Sequence, residues 1–151
     1  MIRINQNEFV SKSQIQFDTN KIDDFLNGLV VGKYSALKSM DNLFLHFPAL
    51  TVKWNGYVLE SFLVNYSKKF CLLHSSFSTT DYCGAIVRRD SEFGDYRSLI
   101  VDVLAMNSDW NNETDALQLL VDDGYQQRRS YKEIENVVLE AKILREQFVN
   151  K

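Results

Sequence analysis

Apolar residues recur three and four positions apart at both ends of this chain, whereas between residues 51 and 106 they fall in short runs separated by turn residues. One secondary-structure type cannot satisfy both patterns. The ends bury a helical stripe, and much of the middle reads as strands. The expected fold is therefore α+β, a central antiparallel sheet of about three to five strands packed by N-terminal and C-terminal helices.

The elements follow from local chemistry. Ile2 and Ile4 alternate, as do Ile15 and Phe17, so residues 2–5 and 13–17 are expected to pair as a loose hairpin. Ile22, Phe25, Leu26, Leu29 and Val30 form one stripe behind Asp18, an N-cap residue, and ahead of Gly32, which predicts a helix over 19–31. Leu37, Met40, Phe44 and Phe47 predict a second helix over 35–46, stopped by Pro48. Asn55-Gly56 predicts a turn. The segment after it, through residue 74, fits either a helix or strands, because Val58, Leu59, Phe62, Leu63 and Tyr66 also form a helical stripe.

Residues 70–77, 83–89 and 97–105 read as strands, the last two as a hairpin, with 98–106 ambiguous between strand and buried helix. A short helix opens at Asn112 or Thr114 and closes at Gly124. Ser130-Tyr131-Lys132-Glu133 then reads as a capping box for a helix over 131–149. Its residues Ile134, Val137, Ala141, Leu144 and Phe148 form an a/d stripe, a candidate seam for a homo-oligomer.

Composition bounds the class. At 151 residues the chain is expected to be one domain, 1–151, and with 45% hydrophobic and 13% aromatic residues it has ample material for a core. Its acidic balance, net charge −3, lacks the broad basic field of a nucleic-acid module. No run reaches the roughly 18 to 20 apolar residues of a membrane span. The N-terminus has no signal-like apolar core, and two cysteines do not make a disulfide framework. A cytoplasmic location and no membrane partner are expected.

Several constellations carry possible chemistry. Cys71, His74 and Cys83, with Asp81 or His46 as a fourth group, are candidate zinc ligands. A structural zinc site usually has two close pairs, however, and strand geometry would turn Cys71 and His74 to opposite faces. Cys83 and His74 are also candidates for a nucleophile and its base, with Asp81, Asp95 or Asp102 to orient the ring. Asp102, inside an apolar run, is a candidate buried carboxylate, with Arg88 and Arg89 as natural partners and Glu92 and Asp95 nearby. Gly28 to Lys33 lacks phosphate-loop spacing, so no cofactor is expected. Arg88, Arg89 and Arg97 form one candidate basic face, and Arg128, Arg129 and Lys132 another. Trp54, Tyr57, Tyr96, Arg97 and Trp110 fall in or beside expected turns and are candidate partner-binding residues, with core packing the competing role.

These observations favour a non-catalytic protein-binding module: a small acidic regulator, inhibitor, immunity-type or assembly protein, with another protein as partner. A small hydrolase-type enzyme using the Cys83/His74 region or carboxylates near Asp102 is the alternative. It requires those side chains to converge in a cleft. A nucleic-acid-associated protein is the second alternative and requires the arginines to share one exposed face.

Overall fold

The computed structural model describes residues 1–74 and 82–149. In chain order its elements are β1 (Ile2–Arg3), β2 (Phe9–Val10), α1 (Thr19–Leu29), β3 (Tyr34–Ala36), α2 (Gly56–Asn65), β4 (Phe70–Leu73), β5 (Ala85–Arg88), α3 (Tyr96–Ala105), α4 (Glu113–Asp122) and α5 (Ile134–Val149). Single 3₁₀ turns occupy Lys12–Gln14, Leu37–Met40 and Phe44–His46.

Short polar side chains decide where α1 to α4 start. Asp18, Asn55, Asp95 and Asn112 each accept the backbone N–H three residues ahead, at 3.2, 3.0, 2.8 and 2.9 Å. Each bond satisfies a donor that the first helical turn leaves orphaned. At the other end of α4, Gly124 adopts φ +85°, which lets the Tyr125 N–H reach back to the Leu120 carbonyl at 2.9 Å.

The fold is α+β, with its main sheet ordered β3–β5–β4 and antiparallel throughout. Alternation along β5 divides the interior. Ala85 and Val87 enter an apolar cluster with α3, α4 and α5, whereas Ile86 joins a second cluster with α1 and α2. The neighbouring strand does the same, Cys71 and Leu73 facing the first cluster and Phe70 and Leu72 the second. The sheet is thus covered on both faces by helices. No helix among the described residues is long and apolar enough to cross a membrane.

Several local expectations are overturned by long-range contacts. β1 pairs with Phe9 and Val10, not with residues 13–17. The chain turns there instead, where Gln14 Oε1 accepts the Ser11 N–H at 3.1 Å. The expected helix over 35–46 does not form, because Tyr34 to Ala36 pair with Val87 to Ala85 on the free edge of β5. Leu37, Met40 and Phe47 still bury their side chains, from 3₁₀ turns and loop rather than from a helix.

Asn55-Gly56 is a helix start and not a hairpin turn. A Cβ at Gly56 would run into the Tyr82 ring, so a larger residue there requires that ring to shift. Residues 57–65 are helical, and α2 buries Val58, Leu59, Phe62 and Leu63. Residues 97–105 are helical too, so β5 has no hairpin partner there. The cap at Asp95 and burial on almost every side make α3 a core helix, which an apolar run alone does not distinguish from a strand. The last helix starts at Ile134 rather than Tyr131. Of the strand expected over 70–77, β4 takes Phe70–Leu73, and the part from 75 onward lies outside the described residues.

Candidate functional site

The carboxylate of Asp102 is buried between two polar groups of the segment entering the sheet. The Tyr34 hydroxyl donates to Oδ2 at 2.7 Å, and Lys33 Nζ lies 3.6 Å from Oδ1. Lys33 also reaches Glu92 at 3.8 Å. Burial pushes the Tyr34 hydroxyl far above its ordinary pKa, with Asp102 reinforcing the effect, so Tyr34 remains a proton donor. Arg88 and Arg89 are not the partners of Asp102. Arg88 donates to the Val30 carbonyl at 2.6 Å and Arg89 to the Ser67 carbonyl at 2.9 Å. The carboxylate ties α3 to the start of β3.

Cys83 is buried, and its thiol points at the backbone carbonyl of His74, 3.8 Å away. The His74 ring instead lies flat on Tyr96, with centroids 4.1 Å apart and planes at 18°. His74 itself has φ 65° and directly follows β4, while Cys71 packs toward the α3–α5 cluster. Cys71 and Cys83 are not joined by a disulfide, and no group of three His, Cys, Asp or Glu side chains suited to a metal occurs among the described residues. Asp81 lies outside the described residues.

Loss of water on that ring face lowers the His74 pKa below 6.5. A depressed folded pKa means that the neutral ring stabilises the fold above pH 6.5 and that this contribution fades as pH falls through the folded value. We expect the His74 ring proton to titrate below pH 6.5 by NMR, and Tyr96→Ala to move the midpoint upward. An unchanged midpoint in the variant would show that the stack does not set it.

The aromatic candidates divide by burial. Trp54 and Trp110 are core residues and are not displayed at turns. Trp54 packs against Phe17 and Phe47 and donates to the Pro48 carbonyl at 2.6 Å. Trp110 is 0% exposed and donates to the Leu104 carbonyl at 2.7 Å. Tyr57 is half-buried beneath the Arg3 guanidinium, 4.5 Å from its ring centre. Tyr96 donates to Gln126 Oε1 at 3.0 Å, and Arg97 grips Glu140 at 2.9 and 2.6 Å. That grip holds the Glu140 carboxyl below its usual range.

The basic candidates separate. Arg88 lies with α1 and Arg97 with α5, on opposite sides of the sheet, so they share no face. Arg129 donates to Gln118 of α4 at 2.9 Å, beside exposed Arg128 and Lys132.

A site absent from these expectations lies on the outer face of α5. Most of the a/d stripe of that helix turns inward, with Val137 and Ala141 fully buried against the core, while Phe148 at its end is exposed. Leu139 and Ile143, one turn apart on the other side, are 56% and 59% exposed. Leu139 borders a groove of about 450 Å3 between α5 and the start of α4, where Val138 lies beside Glu135 and Lys142 and faces Asn112 and Glu113. The sequence signal was available: two apolar residues that the a/d register leaves outside.

The sequence matches no family model, no curated protein and no solved structure. Function therefore rests on what these surfaces can do. The α4–α5 groove sets Val138 and Leu139 among polar and charged neighbours, Asn111, Asn112, Glu113, Thr114, Glu135 and Lys142.

Proposed function

We propose that this chain is a non-catalytic protein-binding module, a small regulator, inhibitor, immunity-type or assembly protein, whose partner docks on the α4–α5 groove. The observation that carries this reading is the exposed pair Leu139 and Ile143 beside that groove. Exposed apolar side chains cost little when scattered, but two on one helical face beside a concavity supply the desolvated centre that an interface needs. Glu113 and Glu135 on the rim favour an amphipathic partner helix that brings an apolar residue flanked by basic ones. Two cysteines, too few for a disulfide framework, fit a reducing, cytoplasmic setting.

The test is affinity purification from the native host, mass spectrometry, and reconstitution with the purified partner. Leu139→Asp together with Ile143→Asp should weaken the reconstituted complex about thirty-fold or more, the effect of losing a central anchor. The helical circular dichroism should stay unchanged, because both side chains face solvent. A complex of unaltered affinity would overturn the reading, as would stoichiometric self-association in place of a partner or isolation of a monomer holding a small molecule.

A further inference from the structure

We propose that the open concavity between the end of α1 and the turn before β4 binds the phosphate group of a small phosphomonoester. It encloses about 410 Å3 and is lined by Lys68, Lys69, Arg88 and Arg89, with Asp90 the one carboxylate of its lining. That volume lies within the usual range for small-molecule sites and exceeds what a bare phosphate needs.

What distinguishes these cations is how they are held. Arg88 is fixed over the Phe70 ring and donates to the Val30 carbonyl and to Asn27. Arg89 donates through Nε and one terminal nitrogen to the Ser67 carbonyl, at 3.3 and 2.9 Å, which leaves its other terminal nitrogen for a ligand. All these acceptors are uncharged, so the hydrogen bonds orient both guanidinium groups without neutralising them. Among the described residues neither arginine has a carboxylate partner, and neither does Lys68. Lys69 reaches Asp24 at 3.1 Å, an exposed pair that a competing anion can displace.

The turn carrying the lysines is rigid before any ligand arrives. Buried Asp23 accepts the backbone N–H groups of Lys68 and Lys69 at 2.9 and 3.2 Å and the Ser67 hydroxyl at 2.6 Å. Preorganised positive charge of this kind favours a compact dianion, because little side-chain or loop ordering remains to oppose binding. The space beside the charges, bordered by Asn27, accommodates the body of the ester.

The probe is adenosine monophosphate, titrated into the intact protein at low salt and followed by amide NMR. Adenosine and inorganic phosphate serve as comparators. Shifts should concentrate on residues 67–70 and 88–90, inorganic phosphate should compete, and adenosine should leave these amides unmoved. Lys68→Glu, an exposed change, should weaken binding about tenfold or more, whereas Lys132→Glu elsewhere should not. Three results would overturn the proposal: no saturable shift up to roughly 10 mM, the weak end of specific affinity; equal response to adenosine; or equal loss in both lysine variants. Unchanged thermal midpoints in the variants separate lost binding from lost folding.

Discussion

Trp110→Ala will lower the unfolding free energy by about 3–5 kcal/mol, the range for emptying an aromatic site in a packed core. Three contributions disappear together. The indole is 0% exposed within the cluster that joins α3, α4 and α5. Its N–H is a donor to the Leu104 carbonyl at 2.7 Å, and its ring lies 4.2 Å from the Arg145 guanidinium carbon. Arg145 also donates to Leu104 and Asn107 carbonyls at 3.3 and 2.6 Å, so the tryptophan packs the group that fastens α5 to the end of α3. Trp110→Phe should cost less, because much of the ring volume is kept even though the indole donor is lost. Urea denaturation of both variants decides the matter. A loss below about 1 kcal/mol for Trp110→Ala, typical of surface positions, would contradict its place in the core.

Asp23→Ala should cost about 3–4 kcal/mol, through a different mechanism. The carboxylate is buried at 1% exposure and accepts three hydrogen bonds from the Ser67–Lys69 turn. Alanine would leave the Ser67 hydroxyl and the Lys68 and Lys69 N–H groups without their acceptor. Ser67 Oγ, which also accepts the Phe70 N–H at 3.0 Å, would lose its anchor as β4 begins. Asp23→Asn should recover only part of the loss, since an amide offers one acceptor and turns a donor toward other donors. Hydrogen exchange adds a local readout, because the Lys68 and Lys69 amides should lose protection by more than the global change in stability. Equal stability of wild type and Asp23→Ala would refute this account.

Both residues show where local reading stops. Trp110, flanked by Asp109 and Asn111, carries the signature of a displayed aromatic, yet three helices close over it. Asp23 sits on α1 beside Asp24 and looks the same in sequence. Only Asp23 is buried and accepts backbone N–H groups of the Ser67–Lys69 turn, more than forty positions away, whereas Asp24 meets the Lys69 side chain at the surface. Arg3 and Glu60 make the same point, an ion pair at 3.8 Å between two buried side chains on β1 and α2. The groove on α5 was partly legible, because Leu139 and Ile143 fall outside the a/d register. Which stripe faces the core was settled by the packing of Val137 and Ala141.

The sequence by itself determined the class and the starts of α1 and α4. Cap residues act on N–H groups three positions away, so Asp18 and Asn112 announce their helices without tertiary help. The glycine stop at Gly124 is equally local. Tertiary structure decided the rest. Whether Tyr34–Ala36 becomes strand or helix depends on an open edge at β5, which does not exist until distant segments meet. Whether 96–105 is helix or strand is undetermined by a run that is apolar on nearly every side, and it is resolved when α5 packs along α3. Asp102 and His74 take partners from other elements, Tyr34 of β3 and Tyr96 of α3, whereas the Cys83 thiol meets the backbone carbonyl of His74.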